Sequence, residues 1–280
     1  AAATPTVLLD APRLWAAVGH ALGRPNLRIQ RHIFAELSCA ARVRDRRDIA
    51  ARGRDIAHMR PESFEVPTPG GTLSVHHWQP ARQLAKSVTV VTVHPWATLG
   101  GGEHNCIGTA RLLAAHGVRA LSFDMNSSWM IWGIISSQRS EVSQVEAVCE
   151  WARQQWGDPV VLFGSSAGAP IAGSALGRVD SVAALVCVGY TWGWFAGIAF
   201  SRHFKPTQRC TKPKLFIQGE ADEFTAPSTL RGALSKCQGE TNDATVVERV
   251  GHFELESPQY DEDVARMTIE WLEGQGLVQQ

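Results

Sequence analysis

Short apolar runs alternate with longer amphipathic stretches from residue 88 onward. The apolar runs are rich in β-branched residues and predict strands at residues 88–94, 118–124, 160–163, 182–188, 214–218 and 245–250. The stretches between them predict helices at about residues 105–116, 139–156, from 167, near 228–236 and at 258–273. Buried strands separated by helices predict an α/β protein with a mostly parallel, doubly wound sheet.

A different pattern precedes this alternation. Residues 63–67 and 73–79 flank the turn sequence T-P-G-G, which predicts an antiparallel hairpin at the start of the sheet. Residues 189–213 show no clear period, so we predict neither a strand nor a sizeable lid insertion there.

The first 60 residues differ from the rest in charge. They contain eleven Arg, no Lys and five acidic residues, whereas residues 61–280 contain sixteen basic and twenty-two acidic residues. Residues 28–58 alternate charged with spaced apolar positions, which predicts surface helices that could bind a protein partner. An organelle-import remnant is the alternative. We therefore predict a basic helical extension at 1–60 and a main domain at 61–280.

Composition narrows the function classes. The formal net charge is zero, which gives no reason to expect nucleic-acid or anionic-membrane binding, and no apolar run has the length of a membrane span. The six cysteines are scattered without zinc or disulfide-framework spacing, so we expect no metal and a reducing compartment, either chloroplast stroma or cytoplasm.

The sequence G-S-S-A-G at residues 164–168 lies between a predicted strand and a predicted helix. A G-x-S-x-G pattern in that position predicts a nucleophile elbow, a tight turn that exposes the hydroxyl of Ser166 at the carboxyl end of the sheet. The N–H of Ala167, at the start of the helix, is then directed at a developing oxyanion.

A nucleophilic serine requires a base and an orienting carboxylate. In proteins with a nucleophile elbow, the acid follows a later strand and the histidine follows the last strand. This order predicts Asp222 as the acid and His252 as the base. Glu220 and Glu223 lie in the same loop and are alternatives to Asp222.

The second oxyanion donor is expected in the loop after residues 88–94. Pro95 has no N–H, so the predicted donor is the N–H of Trp96. Three glycines at 100–102 lack the pattern of a phosphate loop and are interpreted as turn residues. His94 is interpreted as structural.

These motifs resemble a known superfamily. Residues 63–273 resemble the α/β-hydrolases, and H-P-W-A-T-L-G-G-G-E-H-N resembles the H-P-x-x-x-x-G-G segment of small, lidless serine hydrolases. The motifs G-S-S-A-G-A-P-I-A-G, G-Y-T-W-G and G-H-F-E-L-E resemble an uncharacterised plant and algal branch. The resemblance implies the triad Ser166, Asp222 and His252 and an oxyanion hole at Trp96 and Ala167, but it does not imply a substrate. We expect a small acyl substrate and no cofactor, because the chemistry of such a triad requires none.

One loop departs from the superfamily pattern. Relatives usually have an Arg after the strand predicted at 118–124, where this chain has Asn126 followed by a Trp-rich segment. We predict an apolar acyl pocket, or alternatively a partner-binding surface, formed by Trp129, Trp132, Trp192 and Trp194.

Two functions therefore remain open at this point. The first is a serine hydrolase that acts on esters, thioesters or amides through an acyl-enzyme. The second is a non-catalytic binding or assembly subunit that docks through the Arg-rich N-terminus and the Trp-rich loop.

Overall fold

The computed structural model describes residues 58–95, 100–126 and 131–279, without the side chains of residues 131–139, 194–196 and 198. The described residues belong to one compact unit that spans residues 55–280. The predicted N-terminal extension lies outside them except for its last three residues. Its helical structure and the boundary at residue 60 stay predictions.

The described residues form one eight-stranded sheet in the order β1-β2-β4-β3-β5-β6-β7-β8. Its strands are β1 (Glu62–Thr68), β2 (Gly71–Trp78), β3 (Thr89–Val93), β4 (Arg119–Phe123), β5 (Val160–Ser165), β6 (Val182–Val188), β7 (Lys214–Gly219) and β8 (Asn242–Val247). β1 and β2 form the predicted hairpin, β2 runs antiparallel to β4, and β3 to β8 are parallel. The predicted α/β class and N-terminal hairpin are confirmed.

Helices cover both faces of the sheet. They are α1 (His104–Ala115), α2 (Ile131–Trp156), α3 (Gly168–Ala175), α4 (Trp194–Arg209), α5 (Pro227–Leu234), α6 (His252–Leu255) and α7 (Asp261–Gly274), with a 3₁₀ turn at Pro258–Tyr260. One hydrophobic core joins the sheet to α2, α3 and α5, and the other joins it to α1 and α7. This double cover explains why the central strands β3, β5 and β7 are buried along their whole length.

Helix α4 was not predicted. Pro206 lies inside it and several of its residues are polar, which weakens the sequence pattern of a helix. The helix forms because one face packs against α3, where His203 contacts Ser174 and Phe200 lies against Ala167. Tertiary contacts here outweigh local preference.

Several predicted boundaries were also wrong. Helix α2 begins at Ile131, eight residues before the predicted start, and α7 begins at Asp261 rather than at residue 258. Strand β8 spans Asn242–Val247 rather than residues 245–250. After β8 the chain turns through Arg249, whose φ is 62°, before it reaches the short helix α6. The apolar residue Val250 was predicted to lie in the strand. It is buried because it packs in the hydrophobic core that contains residues of α1 and α7.

Candidate active site

The turn between β5 and α3 is tight and has the backbone conformation expected of a nucleophile elbow. Ser166 has a φ of 49°, a left-handed conformation that a non-glycine residue adopts only under constraint. A Cβ on Gly164 would lie 2.5 Å from the Cα of Ala169, and one on Gly168 would lie 2.1 Å from the carbonyl oxygen of Val93. Glycine at both positions therefore allows the turn to be tight.

Backbone hydrogen bonds hold Ser166 in this conformation. Its N–H donates to the carbonyl of Val188 at the end of β6 (2.8 Å), and its own carbonyl accepts from the N–H of Ala169 (3.1 Å). The side chain is only partly buried, so its hydroxyl faces outward at the carboxyl edge of the sheet.

Three side chains from separate loops meet at this edge. Ser166 Oγ lies 2.7 Å from Nε2 of His252, and Nδ1 of the same ring lies 2.6 Å from Oδ2 of Asp222. The serine follows β5, the acid follows β7 and the histidine follows β8 at the start of α6. The structure thus brings together the three residues that sequence reasoning selected.

The loop after β7 contains three acids with different contacts. Asp222 is buried; its Oδ1 accepts the N–H groups of Phe224 (2.8 Å) and Thr225 (2.7 Å), and its Oδ2 accepts from Gln218 (2.6 Å). These bonds hold the carboxylate in the orientation that His252 requires.

The other two acids in this loop contact backbone rather than the ring. Glu223 accepts the N–H of His252 (3.0 Å), and Glu220 accepts the N–H of Arg249 (3.0 Å). Both support the turn that follows β8, and of the three acids Asp222 is the one bonded to the imidazole.

The charges around His252 strengthen it as a base. Burial lowers its pKa, but the hydrogen bond that its Nδ1–H donates to Asp222 and the negative charges of Glu256, Asp222 and Glu223 raise the pKa above the ordinary histidine value. The imidazole therefore binds a proton more readily than a free histidine does, as a general base must.

Gly189, directly after β6, lies in close contact with the imidazole ring of His252. It has a φ of 59°, and a Cβ there would lie 3.0 Å from Cε1 of His252. A side chain would therefore displace the ring as well as strain the backbone. Sequence reasoning noted the G-Y-T-W-G segment but assigned no role to this glycine, because the contact depends on the fold.

Of the two N–H groups predicted to form the oxyanion hole, one lies within the described residues. Ala167 caps α3, and among the described residues nothing accepts a hydrogen bond from its N–H, so this donor is free for a ligand. Trp96, the second predicted donor, lies outside the described residues, as does the rest of 96–99. Its role stays a prediction.

His94 lies at the start of that loop with both ring nitrogens occupied. Its Nδ1–H donates to the carbonyl of Pro95 (2.6 Å), and its Nε2 accepts the N–H of Met125 (2.9 Å). Burial lowers its pKa, and nearby carboxylates do not reverse this. His94 therefore ties the loop after β3 to the loop after β4, which is a structural role.

The unusual residue Asn126 is held by Gln144 of α2. The amide of Gln144 accepts the N–H of Asn126 (2.8 Å) and donates to its carbonyl (3.2 Å), and also contacts Ser140 (3.2 Å). A bidentate contact to the backbone thus fixes the chain at the point where relatives have an Arg. Residues 127–130 beyond it lie outside the description.

The predicted tryptophan pocket is only partly described. Trp129 lies outside the described residues, and Trp132 and Trp194 lie in helices whose side chains there are not described. Trp192 is 7% exposed and stacks on Tyr190, with ring centroids 4.0 Å apart, so its ring packs in the core. The pocket stays a prediction.

Two phenylalanines that sequence reasoning missed flank the imidazole of His252. The ring centroids of Phe224 and Phe253 lie 4.5 Å and 5.4 Å from that of His252, each edge to face. Phe253 is 50% exposed, so it presents an apolar surface beside the site. Its position directly after His252 was the available signal.

Within the described ranges, no cluster of three or more His, Cys, Asp or Glu side chains could hold a metal ion. None of the helices described has the length and apolarity to cross a bilayer.

Comparisons with known proteins place this site in a known fold. Residues 136–258, which include all three triad positions, match the family model described as an alpha/beta hydrolase domain. No curated protein matches the sequence. A serine hydrolase without lid from Xanthomonas campestris is 23% identical, with a TM-score of 0.61 over 76% of this chain and 95% of that one.

Two further structures are similar. An alpha-beta serine hydrolase homologue from Coxiella burnetii is 22% identical, with a TM-score of 0.63 over 76% of this chain and 98% of that one. A thermophilic esterase from the planctomycete Thermogutta terrifontis is 13% identical, with a TM-score of 0.65 over 80% and 98%. At these identities the structures show the fold. They agree with the family model, which matches residues 136–258, and together they confirm the predicted α/β-hydrolase fold.

Proposed function

We propose that this protein is a serine hydrolase that cleaves carboxylic esters through an acyl-enzyme formed on Ser166. The observation that carries the proposal is the continuous pair of hydrogen bonds from Ser166 through His252 to Asp222. This pair lies at the carboxyl edge of the sheet, next to the free N–H of Ala167.

In the proposed mechanism, Nε2 of His252 takes the hydroxyl proton as Oγ of Ser166 attacks the ester carbonyl carbon. Asp222 remains ionised and stabilises the imidazolium. The oxyanion of the tetrahedral intermediate accepts the N–H of Ala167 and, by the prediction from sequence, the N–H of Trp96. His252 then returns the proton to the leaving oxygen, and water hydrolyses the acyl-enzyme by the same steps in reverse.

Short- to medium-chain acyl esters are the substrates to test first. The exposed ring of Phe253 and the predicted tryptophan pocket favour an uncharged, apolar substrate over a highly charged one. The Thermogutta terrifontis esterase has also been solved with propionate, a short carboxylate, bound. Thioesters and amides use the same chemistry and remain alternatives.

The test compares two serines in the same chain. A fluorophosphonate probe should label the wild-type protein and Ser174→Ala, and should not label Ser166→Ala. Hydrolysis of 4-nitrophenyl acetate and butyrate should follow the same pattern. Ser174 is a matched control because it also contacts a histidine, at 2.6 Å, but from inside α3.

The alternative of a binding or assembly subunit depends on segments outside the described residues, at 1–57 and 127–130. It becomes the better proposal if the folded wild-type protein neither reacts with the probe nor hydrolyses any ester. A protein partner at the N-terminus and the chloroplast or cytoplasmic location are likewise predictions.

A further inference from the structure

Glu256 is a third carboxylate beside the catalytic histidine, and it directly follows helix α6. Ser165, the residue before the nucleophile, donates a hydrogen bond from Oγ to Oε1 of Glu256 (2.7 Å). We propose that Glu256 is a positioning residue of the active site: through Ser165 it fixes α6 against the elbow, and its charge stabilises the imidazolium that forms on His252. This inference rests on the proposed ester hydrolysis.

Helix α6 carries His252 as its first residue. It has four residues, too few to be stable as an isolated helix, so the position of His252 depends on the contacts made at the two ends of α6. At the first end, Glu223 accepts the N–H of His252. At the last end, the bond from Ser165 to Glu256 joins α6 to β5 across 91 residues of sequence. Ser165 is buried, which shields this bond from solvent.

The negative charge of Glu256 has its main effect when His252 is protonated. His252 is neutral while it waits for substrate and positive once it has taken the proton from Ser166. A negative charge nearby therefore stabilises the transition state more than the ground state, which raises kcat rather than tightening substrate binding. In agreement, the charge of Glu256 is among those that raise the pKa of His252, after the hydrogen bond from Asp222.

The other groups that face this pair are few among the described residues. His252 faces Asp222 and Glu223 from the loop after β7. Glu256 faces Ser165, His252 and Asp222, and from α1 the thiol of Cys106. Burial raises the pKa of Cys106, so that thiol stays neutral and adds no charge.

The pKa of Glu256 itself is shifted by opposing effects. Burial, with a smaller contribution from the charge of Asp222, raises the pKa of Glu256 above the ordinary glutamate value. The charge of His252 and the hydrogen bond from Ser165 oppose this rise and favour the ionised carboxylate. The same contacts that place Glu256 therefore also help to keep its charge.

The experiment separates the charge from the tether. Glu256→Gln keeps an acceptor for Ser165 but removes the charge, and Ser165→Ala removes the tether but keeps the charge. Glu254→Gln is the matched control, because Glu254 is an exposed carboxylate on the same helix. It accepts hydrogen bonds from the N–H of Gly251 and the side chain of Gln259, and a glutamine keeps an acceptor there. All three variants are made in the full chain and compared by thermal melting first.

We expect Glu256→Gln to lower kcat for 4-nitrophenyl acetate about tenfold with an unchanged KM. It should also move the acid limb of the kcat profile to lower pH. Ser165→Ala should lower kcat severalfold, and Glu254→Gln should match the wild type. In parallel, an NMR pH titration of the His252 imidazole should show a lower pKa in Glu256→Gln alone.

The outcomes separate this inference from the proposed function. If the wild type hydrolyses the ester while Glu256→Gln has the kcat, pH profile and His252 titration of the wild type, the inference is overturned and the proposed function stands. If neither labelling nor hydrolysis occurs, the proposed function fails. The NMR titration still decides then whether Glu256 acts on His252, because it requires no turnover.

Discussion

Among the described residues, two serines form a hydrogen bond with a buried histidine, and the comparison of the two pairs shows what makes one of them a catalytic candidate. Ser166 Oγ lies 2.7 Å from His252, and Ser174 Oγ lies 2.6 Å from His203. Both rings are almost completely buried. By hydrogen-bond distance alone the two pairs are equivalent.

The backbone separates them first. Ser166 lies at the turn between β5 and α3 with a left-handed φ, and its side chain is partly exposed. Ser174 lies inside α3, where every residue is buried and α4 packs over the helix. A substrate can approach the first hydroxyl, whereas the second is enclosed by protein.

The charges around the two rings separate them further. Asp222, Glu223 and Glu256 raise the pKa of His252, whereas burial and the charges of Arg202 and Arg178 lower the pKa of His203 to about 4. His203 is therefore a weak base that stays neutral at physiological pH. A nucleophile requires access and an acidic environment around its base, and a short hydrogen bond alone supplies neither.

The largest expected effect comes from replacing each of the two serines with alanine in separate variants. Ser166→Ala should reduce kcat/KM for 4-nitrophenyl acetate by about 10⁵-fold, because the nucleophile is lost. Ser174→Ala should keep kcat/KM within about twofold but melt at a lower temperature, because a buried hydrogen bond is lost. Steady-state kinetics and thermal melting measure both. Comparable losses of activity in the two variants would contradict the comparison.

The second effect tests the acid. Asp222→Asn should reduce kcat by about 10³- to 10⁴-fold, because the amide favours the wrong tautomer of His252 and removes the charge that stabilises its imidazolium. Glu220→Gln is the control, since Glu220 contacts the backbone of Arg249. Equal activity of the two variants in the same assay would remove Asp222 from the mechanism.

Gly189→Ala tests the support below the imidazole. The added methyl group would lie 3.0 Å from Cε1 of His252 on a backbone with positive φ, so the ring must shift. We expect kcat to fall by about 10²-fold, the usual result of a small misplacement of a catalytic group. Gly232→Ala, in α5 with open space around its Cα, should leave kcat unchanged. Full activity of Gly189→Ala would show that the ring tolerates displacement.

The pH dependence of hydrolysis should report His252. The base must be neutral to accept a proton, so kcat/KM should fall as the pH drops through its raised pKa. The acid limb is therefore expected above the ordinary histidine value of about 6.5. A limb well below that value would mean that burial outweighs the surrounding acids.

The smallest effect concerns stability and the second histidine. The folded-state pKa of His203 is about 4, so the unfolded chain binds a proton first as the pH falls from about 6.5 toward 4. The free energy of unfolding should decrease in that window, by at most about 3 kcal/mol from this residue. Urea unfolding of His203→Gln should show a weaker pH dependence there than the wild type. An identical slope would mean that His203 does not stay neutral in the fold.

The features that sequence predicted depend on local pattern. G-S-S-A-G between an apolar run and a helix, and Asp222 and His252 after later strands, could be read because each follows a strand end. Helix α4 could not, since its polar residues and Pro206 obscure a period that packing against α3 satisfies. Gly189 and Glu256 could not either, because their partners lie far away in sequence.

The long separation between the catalytic groups has a consequence for synthesis. Ser166 and His252 are 86 residues apart, and the sheet must add β6, β7 and β8 before the ring can reach the hydroxyl. A ribosome-bound chain that has made the elbow alone therefore has an ordinary, unreactive serine. If the proposed mechanism holds, reactivity toward esters begins only after β8 and α6 have joined the sheet.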